Sequence, residues 1–211
     1  MNDQIIDALH YRYATKNFDT AMPVKQEDLD TILESLRLSP SSFGLEGWWF
    51  VLVNDKSKRE QLLNAAYGQK QVVDASHLLV LCRSTDSITN IIDKSLSLTA
   101  STRNIPLEYF DSYKDMMMWS LANRSEDQLI SHLENQVYIA AGFAMETCAL
   151  LWIDACPMEW FDKNQFDEIL WLGQLWLASA IVMPIWYRSI DDKYATMTKV
   201  RKDKSQVIHI I

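Results

Sequence analysis

Apolar positions along the chain repeat with two different periods, and the change of period marks the elements. In "DQIIDALHYRY" they fall at Ile5, Ile6, Leu9 and Tyr13, the three-to-four spacing of an amphipathic helix. After the turn-like "DTAMPVKQED", "DLDTILESLRLSP" puts Leu29, Ile32, Leu33 and Leu36 on one helical face and ends at Pro40. "WWFVLV" at 48–53 and "HLLVLCRS" at 77–84 are short continuous apolar runs that predict buried strands, with a helix in "SKREQLLNAAYG" between them. As strand neighbours, Trp48 and Trp49 point to opposite faces, a core arrangement rather than a stacking platform.

From about 87 to 126 the pattern loosens into weak helices and the Met-rich run "YKDMMMWSLAN", an excursion of the kind that carries a lid or a partner contact. A long helix resumes around "SHLENQVYIAAGFAMETCALLWID". It is apolar nearly all round from Ile139 to Leu151, which predicts burial in a core or at a subunit interface, and it ends near Asp154. "CPMEWFD" reads as a loop, "NQFDEILW" as a short helix, "LASAIVMPIWY" as a third strand and the terminal "VIHII" as a last one. Strands separated by helices give an α+β or α/β domain with a central sheet, and 211 residues fit a single domain, 1–211, with the 87–126 excursion as its variable part.

Charge narrows the partners. A net charge of −8 repels phosphate backbones and anionic membranes, so small molecules or proteins are expected, not nucleic acid. The longest apolar run contains Pro184 and is too short to span a bilayer, and "MNDQIIDALHYRY" lacks the pattern of a signal peptide, so a cytoplasmic location is expected. Cys82, Cys148 and Cys156 form no C-x-x-C pair and sit in apolar settings, as buried thiols of a reducing compartment do. The four histidines share no ligand spacing, no P-loop or G-x-G-x-x-G is present, and neither Ser41 nor Ser42 sits in a nucleophile elbow. What remains is basic: Arg12 and Lys16 near the start, Lys199 and Arg201 near the end. Four such cations suit a phosphate, while the plainer reading is solvated surface charge.

"RYATKNF" at 12–18, "LSPSSFGLEGWWF" at 38–50, "DASHLLVLC" at 74–82, "CPMEWFD" at 156–162 and "KVR" at 199–201 resemble, in order and spacing, the FMN-dependent nitroreductase family, in its oxygen-insensitive NAD(P)H nitroreductase and dihydropteridine reductase-like branch. The resemblance implies an α+β fold with a central, mostly antiparallel sheet flanked by helices. It also implies a homodimer with exchanged C-terminal arms and FMN held between the chains. Arg12 would meet the FMN phosphate, with Tyr13 and Ala14 alongside, Lys16 at the flavin's polar edge, and Lys199 and Arg201 completing the phosphate site. Pro40, Ser41, Ser42 and Gly44 would come from the other subunit. Gln69 and Gln71 would face the ring or the nicotinamide. Pro157, Met158, Glu159 and Trp160 match the loop crossing one flavin face, with the Glu159 N–H directed to N5.

No residue would then be catalytic in its own right, because the cofactor carries the chemistry. The implied activity is ping-pong reduction of nitroaromatics, quinones or related electron-poor acceptors by NADH or NADPH. The alternative is a flavin-binding protein of the same fold with little turnover, and a third reading makes the excursion and Met116–Met118 an interaction surface. The chain departs from the family's pattern at Ala14 (usually serine), Glu46 and Gly47 (usually Gln-Pro), Gly68 (often asparagine), Trp160 (usually glycine) and Trp186 (commonly glycine).

Overall fold

The computed structural model describes residues 1–211. In chain order the elements are α1 (Asn2–Tyr11), α2 (Gln26–Arg37), β1 (Trp48–Val53), α3 (Lys56–Ala65), α4 (Gln71–Asp74), β2 (His77–Ser84), α5 (Ile88–Arg103), α6 (Asp111–Leu121), α7 (Glu126–Leu150), β3 (Asp154–Ala155), α8 (Lys163–Ile169), β4 (Leu177–Trp186) and α9 (Lys204–Val207). The four strands form one antiparallel sheet in the order β1-β2-β4-β3.

Both faces of the sheet are covered, which explains why β2 is a continuous apolar run and not an alternating one. Leu79 and Leu81 pack with Ile32 and Leu36 of α2 and with Val137, Ala140 and Ala144 of α7. Leu78, Val80 and Cys82 face the other way, toward Leu62 of α3 and Phe166 of α8. Trp48 is buried, but Trp49, on the other face of the edge strand β1, is 58% exposed, so the core expectation holds for the first tryptophan and fails for the second. A third cluster joins α5 and α6 through Ile92, Leu96, Met117 and Leu121, so the middle methionine of the Met-rich run is core.

Three expectations change. The long helix starts at Glu126, several residues before the apolar run, because Ser125 and Gln128 form a capping box. It is not buried all round: Val137, Ala140, Ala141 and Ala144 face the sheet, while Tyr138, Ile139, Phe143 and Leu150 are exposed as an apolar strip. The terminal "VIHII" forms no strand. Asp203 and Gln206 cap a short turn of helix, α9, and Ile208 to Ile211 run on exposed, because β-branched residues need a pairing partner that this part of the chain does not meet. The three cysteines are free and buried, and burial pushes the Cys148 thiol up to about 12, too high for a nucleophile. No helix is long and apolar enough to cross a membrane.

Candidate functional site

The segment after α1 is tied down at both ends of its backbone. Ala14 bridges to Ala155 of β3, and the N–H groups of Lys16 and Asn17 donate to Asp192 Oδ2 at 2.7 and 3.0 Å. Burial alone would raise the Asp192 carboxyl, but backbone donors from Asn17, Tyr194 and Lys16 outweigh it and hold it below the ordinary range. Beneath lies a buried ion pair: Arg188 Nη2 donates to Asp154 Oδ1 at 2.6 Å and Nε to both carboxylate oxygens at 3.0 Å. Thr15 Oγ1 donates to the same carboxylate at 3.2 Å, as does the Tyr11 hydroxyl. The guanidinium lies 3.7 Å from the Tyr11 ring centroid and 4.6 Å from that of Tyr13. Desolvation and then the Asp154 charge push Tyr11 up to about 12, so its hydroxyl stays a donor.

On this base sits a cavity of ≈570 Å³ whose walls include Arg12, Tyr13, Ala14, Lys16, Lys199 and Arg201. The two basic ends of the sequence meet here. Lys199 Nζ reaches the carbonyls of Leu9 and Arg12 at the C-terminus of α1, where a cation is favoured by the helix dipole. Burial first, then the Arg201 charge, lowers Arg12, and burial followed by Arg12 and Arg201 lowers Lys199. No carboxylate closes within salt-bridge distance of Arg12, Lys16, Lys199 or Arg201. Partly desolvated Arg12 and Lys199, with exposed Lys16 and Arg201 lining the same cavity and no counter-charge among them, are a donor set that fits an anion, and arginine forks with lysine point charges suit a phosphate.

The loop after β3 forms a second group. Lys16 Nζ lies 3.6 Å from Cys156 Sγ at its base, linking it to the basic cavity. Pro157 leads into Met158, which exchanges two backbone hydrogen bonds with Val182. Glu159 accepts from the Tyr138 hydroxyl of α7. Trp160 is 76% exposed, its ring 5.7 Å from that of Tyr67 and its carbonyl held by Gln69 Nε2 at 2.8 Å, so it does not fill the core. Gln71 is buried at the start of α4.

Pro40, Ser41, Ser42 and Gly44 line no part of the basic cavity. Ser41 Oγ accepts from the Glu46 N–H at 3.0 Å, the Ser42 N–H donates to Gln136 Oε1 at 2.8 Å, and Gly44 has φ 66°. Asp154, Arg188 and Asp192 escaped the sequence reading. Each is a lone charge far in sequence from its partner, and only the unusual placing of Asp154 in an apolar stretch hinted at it.

Comparison with known proteins gives a consistent answer. The nitroreductase family model matches residues 9–183. A Staphylococcus epidermidis protein named as a candidate NAD(P)H nitroreductase is 36% identical, covering 99% of this chain and 97% of its own. A Bacillus subtilis crystal structure described as a candidate nitroreductase superposes with a TM-score of 0.87 at 21% identity over the whole of both chains. A candidate nitroreductase from Exiguobacterium sibiricum, solved in complex with FMN, gives 0.81 at 19% identity, covering 98% of this chain and 97% of its own. The fold is nitroreductase-like, and by the family match and the close relative together the chain belongs to the nitroreductase family.

Proposed function

We propose that the protein is an FMN-dependent NAD(P)H oxidoreductase that reduces nitroaromatics, quinones or related electron-poor acceptors in a ping-pong cycle. The observation that carries this reading is the gathering of Arg12, Lys16, Lys199 and Arg201, from opposite ends of an acidic chain, around one cavity. Arg12, Lys199 and Arg201 hold the phosphate of FMN, whose charge relieves the repulsion among them. Lys16 stands at the junction of this cavity and the 156–160 loop, where a cation favours negative charge on the reduced flavin. Bound FMN supplies the two-electron exchange between reduced nicotinamide and acceptor. The chain supplies orientation: Met158 anchors the loop to β4, Tyr138 holds the Glu159 side chain, and Gln69 fixes the Trp160 carbonyl.

The working unit in this reading is a homodimer. Separation of Pro40, Ser41, Ser42 and Gly44 from the basic cavity supports a site completed by the partner's copy of that loop. The exposed strip on α7 and the exposed apolar tail from Val207 to Ile211 supply surface for the interface and for an exchanged arm.

The test is the visible spectrum of the purified protein. A yellow protein that releases FMN on denaturation, bleaches under anaerobic NADH or NADPH, and turns over repeatedly with a quinone is expected. A colourless protein that takes up no added FMN would overturn the reading, and bound FMN without turnover would favour a flavin carrier.

A further inference from the structure

At the far end of the sheet lies a second cavity, of ≈500 Å³, whose lining shares only Gly44 with the residues the flavin reading uses. Its position follows from the register. Trp48 pairs with Arg83 and Arg83 with Ala178, so the start of β1, the end of β2 and the start of β4 share one end of the sheet. Ala14, Ala155 and Ile185 mark the other end, beside the basic cavity. The volume lies within the about 300–1,000 Å³ typical of small-molecule sites.

Its walls have a definite chemistry. Trp49 and Trp176 border it at 58% and 66% exposure, and Ile91 and Leu98 of α5 add apolar surface. Three charged side chains line it, and two of them cancel: Lys94 Nζ lies 2.7 Å from Asp86 Oδ2. The third, Glu46, makes no ion pair, and its main-chain N–H is its only hydrogen-bonding group engaged, by Ser41 Oγ. Arg37 feels the Glu46 charge at longer range, but its Nε and Nη2 are both taken by Glu34.

The backbone around the cavity is also held in a costly conformation. Glu46 has φ 49° and Trp176 φ 58°, both in the left-handed region that side chains other than glycine's enter at a cost of about 1–2 kcal/mol. Phe43, beside the wall residue Gly44, has φ 59°. Such conformations persist where the surroundings impose them, and they concentrate at binding sites.

We propose that this cavity is a second small-molecule site, for a planar aromatic cation of the N-alkylated heteroaromatic class. Tryptophan faces attract a flat cation through both ring surface and quadrupole, and Glu46 provides the matching charge. Charge separates the two cavities: four cations repel such a ligand at one end of the sheet, and an unpaired carboxylate attracts it at the other.

The test is calorimetric titration of the protein as purified with N-methylquinolinium, with neutral quinoline at mildly alkaline pH, and with an anionic quinoline carboxylate. One N-methylquinolinium per chain is expected, bound about fivefold more tightly than quinoline, with no binding of the carboxylate at this site. Glu46→Gln should reduce cation affinity about fivefold and abolish the preference over quinoline, and Trp49→Ala should weaken both ligands. Both residues are exposed, so unchanged circular dichroism is expected and checks that the fold is intact. Absence of N-methylquinolinium binding, equal affinity for quinoline, or a Glu46→Gln variant with undiminished cation affinity would each overturn the proposal. None of these outcomes depends on whether flavin turns over.

Discussion

Where β3 meets β4, charge is assembled on a largely buried, hydrogen-bonded support, with Asp154, Arg188 and Asp192 fixing the Arg12–Lys16 segment from below. At the end of the sheet where β1 begins, Glu46, Trp49 and Trp176 line one cavity, Glu46 and Trp176 on backbone held in the left-handed region, with no ion pair fixing Glu46. Left-handed backbone occurs at both ends, at Trp152 before β3 as well as at Glu46 and Trp176, so the two ends differ in charge: crowded cations at one and an unpaired carboxylate at the other. The difference teaches that an unbalanced charge can be read for its counterpart: crowded cations imply an anion, and an unpaired carboxylate in a tryptophan-lined cavity implies a cation.

The contrast predicts its own largest effect. Asp154→Asn keeps the shape of the side chain but leaves Arg188 without its counter-charge, and loss of one partner of a buried pair costs about 3–5 kcal/mol. Urea unfolding should show a drop of that size. Because Thr15 and Tyr11 share the same carboxylate, FMN affinity should fall with it. A variant of wild-type stability would mean that the basic end does not rest on the ion pair.

Much of this was legible in the sequence, and the limits have physical causes. β1, β2 and β4 announced themselves because both faces of the sheet are covered and their apolar runs are unbroken. Two-residue β3 is too short to carry a period, and it became visible only through its pairing with β4. The tail failed as a strand because sequence reports β-propensity and not the presence of a partner edge. Of the candidate site, the four cations are visible in the sequence as two basic pairs, but their spacing alone reads as solvated surface charge, and the family resemblance supplies the role. Their support could not be read there, because ion pairs such as Asp154–Arg188 depend on contacts 34 residues apart in the chain.

The next effect sharpens the cationic half of the contrast. Lys199→Ala with Arg201→Ala removes two of the four cations, and each charge-assisted hydrogen bond to a phosphate contributes about 1.5–3 kcal/mol. FMN affinity measured by flavin fluorescence should fall at least about a hundredfold, since about 1.4 kcal/mol is a factor of ten. Affinity for N-methylquinolinium should stay unchanged, because that ligand binds at the other end of the sheet. If both affinities fell together, the two cavities would not be independent.

At the tryptophan end, a smaller loss is expected from Gly47→Ala. An added Cβ would lie 2.7 Å from Leu133 Cδ2 of α7, so the leucine has to shift within a packed cluster. Overpacking of this kind costs about 1–3 kcal/mol, toward the lower end here because the obstacle is the tip of a side chain. Urea unfolding measures it.

The smallest effect has the opposite sign and separates strain from structural need. Asparagine tolerates the left-handed region better than glutamate, so Glu46→Asn should relieve part of the backbone cost and stabilise the fold by about 0.5–1 kcal/mol, read from the urea midpoint. The same change removes the unpaired carboxylate, so N-methylquinolinium binding should weaken as stability rises. A residue kept for stability would give a loss of stability on replacement. A residue kept for a ligand gives a gain, because the main-chain strain at φ 49° is then carried for the charge it brings to the cavity that Trp49 and Trp176 also line.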